Sequence, residues 1–335
     1  MTTEARIQLT STELGTLWMT YVSTCATLSK CESMKVRTID KEAQDIIMTY
    51  ITDGHIVKDR IENVFNNEKV AIPIAFGEAD VIRDTPPLFD DIFHIMILRQ
   101  MMKLNFGHAS IYVAMSYMKE VHDILKFNYD ISDKLYVKTT NYLLSKGVLT
   151  KPPYVTMPKQ AEIIEDKSYM SGINFFSNKR ALNTIEVGFL NEAIQSNIFG
   201  MQLMIGFAQT ATDKEIKEYF IEGKELAKKN ISNLNDVLLQ SDIQPPSTWA
   251  GKATDSTKAI FSDKLMMYTT SLMSSSAIGY NVIGTSFSLR SDLQFKLAFI
   301  AKDTFGFAKK GGKLMIKNKW MEEPPQMEDR NILTK

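Results

Sequence analysis

The sequence predicts an all-α chain of two tandem four-helix bundles, on three observations. It repeats itself at about half its length. Its apolar residues recur at spacings of three, four and seven. Each half also carries one long link between its second and third helices. Residues 40–73, DKEAQDIIMTYITDGHIVKDRIENVFNNEKVAIP, align without a gap on residues 213–246, DKEIKEYFIEGKELAKKNISNLNDVLLQSDIQPP. Few identities survive, but the apolar positions correspond: Ile46 with Tyr219, Ile47 with Phe220, Ile61 with Leu234, Val64 with Val237, Phe65 with Leu238. Upstream, Glu13 and Gly15 match Glu186 and Gly188 at the same offset. Downstream, Phe106-Gly107-His108 matches Ile278-Gly279-Tyr280, and Pro152-Pro153 matches Pro324-Pro325, at an offset one residue shorter. A period of half the chain is too long for a solenoid unit and suits a duplicated domain. With 335 residues, each half is long enough to bury a core.

In the first half, helix one is expected over 11–35, with Ser11 or Thr12 capping it ahead of Glu13. Helix two covers 40–66, with Asp40 as N-cap and Glu42 in its first turn. Its apolar residues Ile46, Ile47, Tyr50, Ile51, Val57, Ile61, Val64 and Phe65 form one helical face. Helix three begins near Leu88, after Pro86-Pro87, and runs to about Lys126. Helix four covers 131–146 and is stopped by Gly147 and Pro152-Pro153. The second half repeats the order at 182–210, 213–240, 257–288 and 291–318.

The links at 68–87 and 241–256 exceed the two to eight residues usual in helical bundles. They are long enough to run the height of a bundle at about 3.3 Å per extended residue, and residues 70–76, VAIPIAF, are apolar enough to lie along its wall. One long crossover is the ferritin-like connectivity. The expected fold is therefore two tandem ferritin-like four-helix bundles, each with a long crossover between helices two and three. The bundles are expected at 8–153 and 179–325, with a proline-interrupted linker at 154–178, a short turn over 160–166 within it, and a tail at 326–335.

Lys plus Arg and Asp plus Glu each number 39, so no net field attracts nucleic acid or an anionic membrane. Cys25 and Cys31 sit in no metal or redox spacing, and the first residues lack a secretory pattern. A cytoplasmic protein is expected. Two uncharged runs, 193–212 and 265–289, are long enough to span a bilayer. Nine of the 25 residues in the second are Ser or Thr, which favours helices buried together in the second bundle, with Gly200, Gly206, Gly279 and Gly284 at close contacts. No membrane is expected, and the 19 methionines read as core filler.

A ferritin-like bundle raises the question of a di-metal site, which needs a Glu from each of two helices and a Glu-x-x-His from each of the others. All four histidines, His55, His94, His108 and His122, lie in the first half, and only Asp91-Ile92-Phe93-His94 has an acid three residues before a His. Asp91 and His94 are the metal candidates, expected near one bundle end in reach of Glu32, Glu42, Cys25 or Cys31. More often such a pair caps or lines a bundle end. The bundle centres are expected to be apolar. In the first they draw on Met19, Thr20, Val22, Ile51 and Thr52. In the second they draw on Ile198, Met201, Leu203 and Ala227, with Glu222 and Glu225 the acids to check. No catalytic residue and no cofactor is assigned, and P-loop, GxGxxG, GxSxG and HExxH motifs are absent. The basic stretch Lys309-Lys310-Gly311-Gly312-Lys313, with Lys317 and Lys319, reads as a solvated face whose glycines mark close packing.

The second half, through KRALNTIEVGFLNEAIQSNIFGMQLMIGFAQTATDKEIKEYFIEGKELAKKNI, PPSTWAGKATDSTKAIFSDKLMMY and IKNKWMEEPPQMEDR, resembles the "domain of unknown function 3231" family of Bacillus-type bacteria. That family is similar to the spore coat protein F group. The resemblance runs through essentially the whole chain in tandem and is most specific in the FSDKLMM and EEPPQ segments. It implies ferritin-like bundles, an endospore-forming source and no catalytic residue to carry over. The expected function is a non-enzymatic structural or interaction protein associated with spores, whose partners are further copies of itself or other spore coat proteins. The alternative is a metal-binding or di-metal oxidoreductase-like protein with a degraded site in the first bundle.

Overall fold

A computed structural model describes residues 8–172, 179–246 and 252–334. Among these the chain is helical: α1 Ser11–Lys35, α2 Lys41–Asn67, α3 Asp91–Ala114, α4 Lys119–Ser145, α5 Thr184–Thr210, α6 Lys214–Leu239, α7 Asp263–Phe287, α8 Ser291–Lys317 and the short α9 Arg330–Leu333. One isolated bridge, Val81 with Phe261, is the extent of β pairing among the described residues. Trp249 in the second crossover, and the end of the expected linker, lie outside the described residues.

Local chemistry starts the helices where short polar side chains accept the first free N–H groups. Asp40 caps α2 through the N–H of Ala43 at 3.0 Å, and Asp213 caps α6 through Glu215 and Ile216. The cap of α1 is Thr10 rather than Ser11 or Thr12. Its hydroxyl accepts from the Glu13 N–H at 3.2 Å while the Glu13 carboxylate accepts from the Thr10 N–H at 3.0 Å. Asn183 and Glu186 repeat this reciprocal arrangement on α5. Helices α2 and α6 end alike, on left-handed Lys69 (φ 58°) and Asp242 (φ 55°). In each, the next N–H bonds back over the turn, Val70 to Phe65 and Ile243 to Leu238.

Two carboxylates, one buried and one half-buried, establish the ferritin-like connectivity of the first bundle. Glu13, at the start of α1, accepts from the N–H groups of Tyr117 and Met118 at the start of α4, at 2.7 and 2.5 Å. Asp91, at the start of α3, accepts from Ile39 and Asp40 at the start of α2, at 2.9 and 2.8 Å. Helices α2 and α3 therefore begin at one end and α1 and α4 at the other, so the α2–α3 link must travel the bundle height. Glu186 does for the second bundle what Glu13 does for the first, accepting from Leu289 and Arg290 before α8.

The expected third helix does not run unbroken to Lys126. It ends at Ala114, and α4 starts at Lys119 rather than near Ile131. The break, Met115–Met118, contains neither glycine nor proline; its last two N–H groups, those of Tyr117 and Met118, turn onto Glu13. In the linker, a 3-10 turn forms at Lys167–Met170 rather than over 160–166.

The paired apolar positions all face their cores. Ile47, Ile61 and Phe65 are buried in the first bundle, as are Phe220, Leu234 and Leu238 in the second. Repeats and compact units do not coincide, however. The first unit is Met1–Gly147 with Ala259–Leu265 and Asn318–Lys335, and the second is Val148–Lys258 with Met266–Lys317. The short segments join the first unit through its crossover. Ile82 N–H donates to the Ile260 carbonyl, Ser262 N–H to the Asp80 carbonyl, and Lys264 Nζ to the Ala75 carbonyl at 2.6 Å. Glu322 accepts from the Ile74 and Ala75 N–H groups, both at 2.6 Å. Ala75 holds φ 51°, a left-handed conformation unusual for alanine. Both of its backbone groups are thus fixed by charged residues of the FSDKLMM and EEPPQ segments.

The uncharged runs depart from expectation. Leu265, Met266, Met267 and Met273 are buried, but Val282, Ile283, Phe287 and Leu289 are exposed. A Cβ on Gly284 would meet Leu297 and Phe189 at 3.1 and 3.3 Å, as close packing requires, whereas Gly200 and Gly279 have nothing within 4 Å. The last turns of α7 thus carry apolar side chains outward, and two of the four glycines mark open positions. No helix among the described residues is long and apolar enough to cross a membrane.

Candidate functional site

The candidates Asp91 and His94 do lie at one end of the first bundle, one turn apart at the start of α3. Asp90 caps that helix through the Phe93 N–H at 2.8 Å, which fixes the first turn and aims Asp91 at the α1–α2 corner. There the Asp91 carboxylate already accepts two backbone N–H groups, so it serves as a helix-corner clamp. His94 is fully buried, with Nδ1 2.9 Å from the Thr38 hydroxyl. That hydroxyl donates its own proton to the Met34 carbonyl at 2.9 Å. The imidazole must therefore donate from Nδ1, leaving Nε2 as a buried lone pair with no hydrogen-bond partner among the described residues. Burial pushes its pKa down to about 4, with Arg37 adding to the effect and Asp91 opposing it. His94 is neutral at pH 7.

Among the described residues no group of three or more His, Cys, Asp or Glu stands where it could hold an ion. His55 and Cys25 line a separate cavity beneath the crossover. In the second repeat Met266 stands at the position equivalent to His94, and its sulfur receives the Thr210 hydroxyl at 3.7 Å.

The bundle centres are not apolar, which corrects the expectation. In the first, Asn105 donates to the Asn128 side chain at 2.9 Å and to the Ser132 hydroxyl at 2.7 Å, and Asn128 donates back at 3.2 Å. Lys30 is buried beside them on α1, its Nζ 3.3 Å from the Met101 sulfur. Burial brings its pKa down to about 8 against a small opposing effect of Cys31. Leu203 fills the equivalent place in the second repeat. The second centre holds a cavity of about 70 Å³ lined by Asn197, Asn230, Thr270, Ser274 and Thr304. Met19, expected inside, is exposed. Glu222 and Glu225 lie on the surface, paired with Lys310 and with Lys224 and Lys228.

These donors do not fit the di-metal centre of ferritin-like proteins. Amides and hydroxyls that satisfy one another cost little in a core, but they cannot neutralise two divalent ions as four carboxylates do. The sequence reading missed both networks, because Asn, Ser and Thr on an amphipathic helix look the same whether they face a neighbour or water.

Two stretches of the chain, residues 1–161 and 170–333, match the family described as Protein of unknown function (DUF3231), one match for each repeat. The chain belongs to this family. No curated protein matches it. Among solved structures it is similar to a protein of Bacillus halodurans C-125 provisionally named a spore coat protein. The two share 18% identity over 45% of this chain and 98% of that one, with a TM-score of 0.41. Within the family assignment, the specific FSDKLMM and EEPPQ segments acquire a structural meaning. They are the parts of the second repeat that fasten the crossover of the first unit.

Proposed function

We propose that this DUF3231 protein is a non-enzymatic structural protein that works by self-association, in the cytoplasm and on or in the spore, with further copies or other coat proteins as partners. One observation carries the reading. Each bundle exposes three large apolar side chains at equivalent positions where its third helix ends. Ile111 and Ile283 are 57% and 45% exposed, Met115 and Phe287 39% and 60%, and Tyr117 and Leu289 72% and 37%. No Asp, Glu, Lys or Arg interrupts residues 104–118 or 265–289. Contiguous exposed apolar surface of this kind marks interaction sites, and a chain with two such patches is able to propagate an assembly rather than only close a dimer. The use of Asp91 as a corner clamp, and bundle centres that hold amides, hydroxyls and the Lys30 amine, also favour this reading over the metal-dependent one.

Sedimentation equilibrium over a concentration series tests it. The expected result is concentration-dependent mass that falls toward the monomer when Met115→Asp and Phe287→Asp are combined. A wild-type chain that stays monomeric to about 100 μM overturns it. So does stoichiometric iron or manganese, after purification without added metal, that disappears in His94→Ala.

A further inference from the structure

A cavity of about 570 Å³ lies in the first unit between α1, α2 and the crossover, within the size range of small-molecule sites. Its roof is held at three places. Arg37 donates to the carbonyls of Ile82 and Thr85 at 2.7 and 3.2 Å, Ser262 donates to Asp80 at 2.7 Å, and Glu322 and Lys264 fix Ala75 as described. A loop fastened this often maintains the space beneath it.

The lining divides by chemistry. Leu28, Phe76 and Val81 supply apolar wall. The two cations are already engaged: Lys58 pairs with Glu62 at 2.7 Å and Arg83 with Glu78 at 3.3 Å. Two carboxylates, Glu32 and Asp84, face the cavity from opposite sides, α1 and the roof; among the described residues neither has a hydrogen bond or ion pair, although the charge of Arg37 acts on Asp84. Among the lining residues themselves three carboxylates stand against two cations, with Arg37 acting on Asp84 from outside the lining.

We propose that this cavity binds a small organic cation, with a primary ammonium head between Glu32 and Asp84 and an aliphatic body against Leu28, Phe76 and Val81. The ammonium supplies the donors that both carboxylates lack, and the body displaces water from apolar wall. An aliphatic carboxylate meets two like charges and is rejected.

Calorimetric titration of the full chain with butylammonium, hexylammonium and hexanoate tests this. Saturable binding of hexylammonium is expected, tighter than that of butylammonium by about fifteenfold, because each buried methylene contributes about fourfold. Hexanoate should not bind. Both carboxylates are exposed, so Glu32→Gln with Asp84→Asn should fold as wild type by circular dichroism while weakening hexylammonium at least tenfold. Cys25 lines the same cavity, so hexylammonium should slow its alkylation, read by peptide mass mapping with Cys31 as internal reference. The proposal is overturned by equal binding of hexanoate, by no saturable binding below about 10 mM, or by affinity that survives the double variant.

Discussion

Replacing Glu13 with Gln keeps the shape of the side chain and removes its charge. In the folded protein the carboxylate has four short contacts. One oxygen accepts from the Thr10 N–H and hydroxyl at 3.0 and 2.7 Å, and the other from the Tyr117 and Met118 N–H groups at 2.7 and 2.5 Å. Hydrogen bonds to a charged acceptor contribute about 1.5–3 kcal/mol each, and neutral ones about 1 kcal/mol. Glutamine can point its one carbonyl at α4, weakening two bonds, and then sets its NH2 against the Thr10 N–H. A loss of about 3 kcal/mol follows, or roughly 6–12 °C in the melting temperature of a unit this size. Burial pushes the Glu13 pKa up, but the Met118, Thr10 and Tyr117 donors outweigh it and hold it below the ordinary value. The unfolded carboxylate titrates near about 4.3. The stabilisation is therefore complete above that pH and is lost as pH falls through the lower folded value. Urea melts of wild type and Glu13→Gln at pH 7 and pH 3, with hydrogen exchange at the Tyr117 and Met118 amides, measure both effects. A gap under about 0.5 kcal/mol at pH 7, or one that does not narrow from pH 7 to pH 3, refutes the reasoning. Glu186→Gln should cost more, because the Arg180 guanidinium loses two bonds of 2.7 and 2.8 Å as well.

A Cβ on Gly311 would lie 2.3 Å from the Tyr219 hydroxyl, whose ring is stacked on Phe307, whereas Gly312 has nothing within 4 Å. Gly311→Ala should therefore destabilise by about 1–3 kcal/mol and Gly312→Ala should stabilise by about 0.4–1 kcal/mol, both read from thermal melts. For His94 the folded pKa of about 4 lies below the unfolded 6.5. Stability is thus full above the unfolded value and falls by about 3 kcal/mol as pH drops from 6.5 to 4. His94→Met, the residue type of the second repeat, should flatten that limb of the pH–stability curve; an unchanged limb assigns it elsewhere. Glu322→Gln should cost about 1–2 kcal/mol and speed hydrogen exchange at Ile74 and Ala75, with exchange elsewhere in α1 and α2 unaltered.

Features with a local cause could be read directly. Asp40 and Asp213 announce α2 and α6 because a cap acts within three residues. The face of α2 follows from its spacing alone. The start of α4 was missed because nothing in Met115–Met118 breaks a helix; a carboxylate more than a hundred residues upstream does. Even so, the sequence held the answer by a different route. The second half breaks at Ser288–Arg290, and the offset that pairs Phe106 with Ile278 moves this break onto Ser116–Met118. Asp91 and His94 were found by their spacing, but which donors would reach them is a long-range fact that spacing cannot report. Gly311 and Gly284 look no different in sequence from Gly312 and Gly279. Only the facing helix, with Tyr219 or Leu297 on it, separates a required glycine from a tolerated one.

The fastening of Ala75 by Lys264 and Glu322 also sets an order of events during synthesis. The helices of the first bundle are complete once Gly147 has left the ribosome, yet its crossover still lacks both charged clamps. At about 5–20 residues per second, the stretch from Gly147 to Glu322 takes on the order of 10–35 s to appear. For that interval the left-handed turn at Ala75 has no partner on either backbone group, and the segment over α1 and α2 remains open. The earliest part of the chain to be made is thus among the last to be finished. A ribosome stalled between the two repeats would hold a bundle whose helices are present but whose lid is not yet latched.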